Sequence, residues 1–118
     1  MFQVEGYTIT MTRGDTGSVR IKASGHIFSQ NDRALFTMKS QDGTIIKQHA
    51  YQIDAEGRFT VSFLNAETDY LTPGAYKWDV RYIINPYYDA NGKIVDGDQV
   101  ITPKLPQPLN LLAAVGDI

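Results

Sequence analysis

The sequence of 118 residues contains no cysteine. This absence excludes a disulfide framework, a thiolate nucleophile, cysteine-ligated zinc and iron–sulfur clusters, and it leaves the redox compartment undetermined. The chain also lacks a large excess of either positive or negative charge, because 11 Lys+Arg against 13 Asp+Glu give a net charge of −2. So small a charge gives no polyelectrolyte attraction to phosphate backbones or anionic lipid. We therefore expect neither nucleic acid nor a membrane as a partner.

Long hydrophobic runs are also missing. The longest apolar run, residues 111–115, is far shorter than the roughly 20 residues that a membrane helix requires. The first five residues, MFQVE, lack the basic and apolar stretches of a secretory signal, so we expect the mature protein to begin there. The length suits one ordinary domain, because two halves would each be too small to bury an adequate core.

Helical spacing of apolar residues is not found, whereas alternation with a period of two recurs along most of the chain. Alternation of this kind is typical of strands with one buried face. Turn signals separate the strand patterns at intervals of about 8 to 12 residues, and this indicates an antiparallel sandwich or barrel. The predicted strands cover residues 7–12, 19–23, 34–39, 44–53, 58–63, 76–82 and 99–102.

The predicted fold class is all-β, an antiparallel immunoglobulin-like β-sandwich of about seven to eight strands. Pro73 and Gly74 form the turn before the strand that carries the single tryptophan, and we expect that strand to be central. A tyrosine enters it in the manner of an immunoglobulin corner, where the hydroxyl bonds back to nearby backbone. The predicted core residues are Phe36, Phe59, Val61, Phe63, Tyr76, Trp78 and Val80.

Proline is sparse except near the C-terminus, where three of the five prolines fall between residues 103 and 108. The β-sandwich domain is therefore assigned to residues 1–102, and residues 103–118 to a proline-rich extended segment. Its apolar part, with Leu109, Leu111 and Leu112, should be buried. Two alternatives stay open: a last strand of this domain, or a docking tail that contacts a neighbouring chain.

Residue patterns for catalysis are scarce, and we expect no enzyme activity and no cofactor. His26 and His49 are the only imidazoles, and no metal-binding spacing surrounds them. No serine lies in a G-x-S-x-G elbow. Glu5, Glu56 and Glu67 fall in different turns and strands, so they do not form an acid/base pair.

Residues 87–92 are expected to form a hairpin tip and residues 96–97 a further bend. Aspartate and asparagine side chains around this tip offer oxygen ligands, but their spacing does not match a calcium loop, and turn formation is the preferred interpretation. Tyr87 and Tyr88 are the best candidate platform for a glycan, although packing is the more common role of such pairs.

Residues 13–15 spell Arg-Gly-Asp, the tripeptide that integrins recognise. Because the tripeptide lies between two strand patterns, we interpret it as a turn in which glycine supplies the geometry. Asp15 would accept hydrogen bonds from the amides of Gly17 or Ser18.

Five segments follow one another in order: 12–16 (TRGDT), 34–39 (ALFTMK), 57–61 (GRFTV), 67–71 (ETDYL) and 73–80 (PGAYKWDV). Together the set resembles the N-terminal β-sandwich domain of phage baseplate upper proteins and related short prophage tail proteins. The likeness covers approximately residues 8 to 83. The chain departs from the family pattern in a longer, more aromatic loop at residues 85–97 and in its proline-rich end.

The resemblance implies a virion structural protein that assembles with other tail or baseplate proteins, including copies of itself, after synthesis in the host cytoplasm. It also implies structural roles for Arg13, Gly14, Asp15 and Thr16, with Arg13 and Asp15 paired or hydrogen-bonded at the turn. The alternative function is a binding module for a cell-surface glycan or protein.

Overall fold

The computed structural model describes residues 1–23 and 26–114. These residues form nine strands and one helical turn. In chain order they are β1 (Phe2–Glu5), β2 (Thr8–Thr12), β3 (Gly17–Lys22), β4 (Arg33–Lys39), β5 (Ile45–Gln52), β6 (Arg58–Phe63), α1 (Asn65–Thr68), β7 (Gly74–Tyr88), β8 (Ile94–Ile101) and β9 (Gln107–Leu112). The all-β prediction is confirmed, with one strand more than expected. The added strand is β1, whose four residues are too few for alternation to identify it.

The strands form two sheets. The large sheet has the order β1-β2-β9-β7-β4-β5, with β8 also paired to β7, and the small sheet pairs β3 with β6. One expectation is wrong, because the sandwich is not wholly antiparallel: β2 runs parallel to β9, with Ile9 opposite Leu109. A parallel pair needs a long connection, and nearly the whole domain lies between these two strands.

The core fills the space between the two sheets. All seven predicted core residues lie there, each at most 8% exposed. Phe36 stacks on Trp78 with ring centroids 5.7 Å apart and meets Phe63 edge-on at 5.9 Å. The indole N–H of Trp78 donates to the carbonyl oxygen of Tyr7 at 3.1 Å, so the polar atom of this buried ring is satisfied.

The C-terminal segment contributes a strand to the same sandwich. β9 lies between β2 and β7, and its side chains Leu109 and Leu111 are almost completely buried. The division of the chain at residue 102 therefore does not mark the end of the sandwich. Leu109 and Leu111 are not available for docking on another chain, whereas Leu112 is 42% exposed. The end of the predicted tail, residues 115–118, lies outside the described residues.

β8 and β9 lie along the same side of β7 and are separated by residues 102–106. Pro103 and Pro106 fall in this interruption. Proline has no N–H to donate to a ladder, so strand pairing stops there and resumes at Gln107.

The predicted corner is present at the start of β7. The hydroxyl of Tyr76 donates to the carbonyl oxygen of Thr72 at 2.6 Å, across the Pro73–Gly74 turn. This bond fixes the direction in which the chain enters the central strand.

Candidate functional site: the arm of β7 and β8

The most distinctive surface is an arm formed by residues 84–98. The pairing of β7 with β4 ends at Ile83. From there β7 continues to Tyr88 with β8 as its partner. The hairpin tip is shorter than expected, since Tyr87 and Tyr88 lie in β7 and Gly92 has the positive φ of the turn. The predicted bend at residues 96–97 is wrong: both residues lie within β8, and Gly97 pairs with Pro86.

The base of the arm is bent at Asn85, which has a φ of 48°. No other non-glycine residue in the described ranges has a positive φ. The backbone N–H of Asn85 donates to Oδ1 of Asp32 at 2.9 Å, and Oδ2 of Asp32 accepts the N–H of Ser29 at 2.8 Å. Asp32 is only 3% exposed. A buried carboxylate with two amide donors thus holds a backbone conformation that is costly for asparagine.

Gly97 allows β8 to pack closely against β7 at the base of the arm. A β-carbon at Gly97 would stand 2.5 Å from Cγ2 of Ile83 and 2.9 Å from the carbonyl oxygen of Ile84. The two strands approach so closely that any side chain would force a shift. Glycine is therefore required here by space rather than by a turn.

Tyr87 is fixed on one face of the arm. Its hydroxyl donates to Asp98, whose other carboxylate oxygen accepts Nδ2 of Asn85 at 2.9 Å. The bond to Asp98 raises the pKa of Tyr87 above its ordinary value. The hydrogen bond from Tyr87 and, to a smaller extent, the one from Asn85 lower the pKa of Asp98 below its ordinary value. Tyr87 nevertheless remains 46% exposed.

Tyr88 lines a different surface from Tyr87. Neighbouring residues of a strand point to opposite faces, and Tyr88 lines a cleft that Tyr87 does not line. The predicted glycan platform of both rings is therefore not formed. Tyr88 instead lines a cleft of about 310 Å³ between the arm and the large sheet, together with Leu35 and Ala50.

Two aspartates of the arm accept backbone N–H groups, Asp89 at the hairpin tip and Asp96 within β8. Oδ1 of Asp89 accepts the N–H groups of Asn91 and Lys93, at 2.8 and 3.0 Å. Asp96 accepts the N–H of Gly97 at 2.8 Å. Within residues 1–23 and 26–114, no group of three or more His, Asp or Glu side chains is placed to hold a metal ion.

The Arg-Gly-Asp turn contacts α1 and the segment after it. Gly14 has a φ of 84°, and its N–H donates to Oγ1 of the buried Thr68 at 2.9 Å. Its carbonyl oxygen accepts Nδ2 of Asn65 at 2.8 Å. Arg13 donates to the carbonyl oxygen of Leu71 at 3.4 Å. The turn is thus tied to the protein on both sides of Gly14.

The predicted partners of Asp15 are wrong. Its carboxylate pairs with the terminal ammonium group of Met1 instead of with Arg13 or with the amides of Gly17 and Ser18. The β1–β2 hairpin places that ammonium beside the turn, a proximity that sequence spacing does not reveal. Thr16 and the Pro73–Gly74 pair are exposed at their turns.

The remaining titratable candidates are dispersed. His49 lies on β5 with its ring 4.5 Å from that of Tyr51, whereas His26 lies in a loop beside Phe28. Glu67 pairs with Lys47 at 2.5 Å and also accepts the N–H of Leu64, so it joins α1 to β5. Sequence reasoning missed both Asp32 and Lys47, because each acquires its role from a partner distant in the chain.

No family model matches the chain, and no curated protein matches it significantly. In the part of the chain that the structure describes, no helix is long and apolar enough to cross a membrane.

Proposed function

We propose that this chain is a non-enzymatic structural subunit of a phage or prophage tail that assembles with other tail or baseplate proteins through β8. The ordered segments of the resemblance support this proposal. Four of the segments are a turn, a strand or a turn with the strand it starts: residues 12–16 join β2 to β3, Gly57 precedes β6, and Pro73 precedes β7. The remaining segment, 67–71, covers the end of α1 and the turn that follows it. The resemblance therefore lies mainly in residues that form the turns and strands of the sandwich.

An immunoglobulin-like class is part of the proposal. Two features support it: the hydrogen bond from Tyr76 to Thr72 at the start of β7, and a small sheet that pairs β3 with β6 across the core from β4 and β7. The parallel contact of β2 with β9 lets the N-terminal strands join the large sheet.

The single observation that carries the assembly role is the exposure of apolar side chains on β8. Val95 and Val100 are 62% and 46% exposed, and β8 pairs with β7 but with no other strand in the described part of the chain. An edge strand presents free N–H and C=O groups that a partner strand can bind. Exposed apolar residues beside such an edge indicate a protein contact surface.

β8 replaces the C-terminal tail as the proposed contact. Leu109 and Leu111 are part of the core, and removal of residues 103–118 would take a strand out of the large sheet. A deletion of that kind would unfold the protein and would report nothing about assembly.

Mass spectrometry of density-purified particles, collected after prophage induction in the source strain, tests the proposal. We expect peptides of this chain at a constant ratio to tail proteins. Particles that lack the chain, while the cells contain it, would exclude a virion role.

A second comparison tests β8. The double variant Val95→Asp with Val100→Asp should be lost from particles, whereas the control Val4→Asp, on β1 and 39% exposed in the parent, should be retained. Retention of the double variant at the parental ratio would show that β8 is not the contact.

A further inference from the structure

The cleft beneath the arm has the features of a ligand site. Leu35 and Ala50, paired across β4 and β5, form its floor. Tyr88 and Ile94, paired across the arm, form its wall. Its volume of about 310 Å³ lies at the lower end of the roughly 300–1,000 Å³ typical of ligand pockets, so it suits one small ring rather than a long chain.

The base of the arm has an irregular backbone. The positive φ of Asn85, the buried Asp32 that accepts its N–H, and the close packing of Gly97 on Ile83 all act at the base of the arm. A backbone strain maintained by a buried charge is more costly than a straight hairpin would be.

The groups around the cleft differ in what they can bind. The Tyr88 ring is 51% exposed, so an apolar ring face can stack on it. Nε2 of Gln48 donates a hydrogen bond to Oγ1 of Thr37 at 3.1 Å. The amide oxygen of Gln48 can therefore accept a hydrogen bond from a ligand hydroxyl group.

The charge of the cleft favours an anion. Lys93 lines it, no carboxylate residue does, and the ammonium of Lys93 takes part in neither of the salt bridges found among the described residues. This contrasts with the chain as a whole, whose net charge is −2.

We propose that this cleft binds one residue of an acidic saccharide. The sugar ring stacks on Tyr88. The amide oxygen of Gln48 accepts a hydrogen bond from one of the sugar hydroxyl groups, and Lys93 binds the sugar carboxylate. A sugar ring combines an apolar face, hydroxyl donors and, in a uronic acid, one carboxylate, and these match the three kinds of group present. The inference goes beyond the assembly role, which requires no small ligand.

Glucuronate and glucose are a matched pair of probes, because they differ only in the carboxylate. Titration of the ¹⁵N-labelled protein should shift the amide signals of the cleft with a millimolar Kd for glucuronate, and glucose should bind about tenfold more weakly. Tyr88→Ala should lose binding of both sugars. Lys93→Gln should abolish the preference for glucuronate.

Tyr7→Ala is the matched control, because Tyr7 is 51% exposed, as Tyr88 is, and the pocket that it lines shares no residue with the cleft. It should bind glucuronate as the parent does. Unchanged amide dispersion in every variant would show that the fold is intact.

Three results would overturn the inference: no shift at the cleft with either sugar, parental affinity in Tyr88→Ala, or equal binding of inorganic phosphate, which would indicate a general anion site. None of them affects co-purification with particles. Failure of the saccharide site is therefore distinguishable from failure of the tail assignment.

Discussion

Replacement of Asp32 by alanine should destabilise the protein by about 3 kcal/mol. The carboxylate is 3% exposed and accepts the N–H groups of Ser29 and Asn85. Hydrogen bonds to a charged group contribute about 1.5–3 kcal/mol each, so their loss alone would cost about 3–6 kcal/mol. Part of this loss is offset because the variant no longer buries a charge.

Urea unfolding followed by the fluorescence of the single tryptophan measures the effect. A loss of about 3 kcal/mol should lower the midpoint by roughly 1–3 M, given the usual slopes for small proteins. The exposed Asp69 is the control: its carboxylate accepts no hydrogen bond in the described structure, so Asp69→Ala should change stability by less than about 0.5 kcal/mol.

Hydrogen exchange locates the effect of Asp32→Ala. The amide of Asn85 loses its acceptor and should exchange faster than in the parent, whereas amides at the centre of β4 should follow only the change in global stability. The reasoning would be refuted by a free energy of unfolding within about 0.5 kcal/mol of the parent value. Unchanged protection at Asn85 would equally show that Asp32 does not hold the bend.

Three further changes test other parts of the structure. Trp78→Ala should cost about 3–5 kcal/mol in a thermal or urea unfolding measurement, because the ring fills the core; parental stability would contradict its burial. Asp15→Ala should cost less than about 1 kcal/mol, because its ion pair is exposed; a larger loss would show further contacts. The Ser40 hydroxyl, then the Thr44 amide, lowers the pKa of Asp42 from 3.8 to about 2. Ionised Asp42 therefore stabilises the fold above pH 3.8. This contribution disappears as the pH falls through about 2, so the free energies of unfolding of the parent and of Asp42→Asn should converge there. A difference between these free energies that does not depend on pH would exclude this linkage.

Much of the sandwich was determined by the sequence alone, because the signals are local. Alternation with a period of two depends only on neighbouring residues, and it identified the buried face of β6 and the central place of Trp78. The Pro73–Gly74 turn and the Tyr76 corner likewise involve residues at most four apart. Such features form whenever the local chain is extended and one face is buried.

The tertiary structure alone decided which distant segments meet. The apolar alternation of β9 predicts burial, but its place between β2 and β7 depends on strands from both ends of the chain. The bend of the arm depends on Asp32 and Asn85, which are 53 residues apart. No local pattern marks an aspartate as the acceptor for an amide so distant. Burial and hydrogen bonding across the fold, rather than propensity along the chain, decide such contacts.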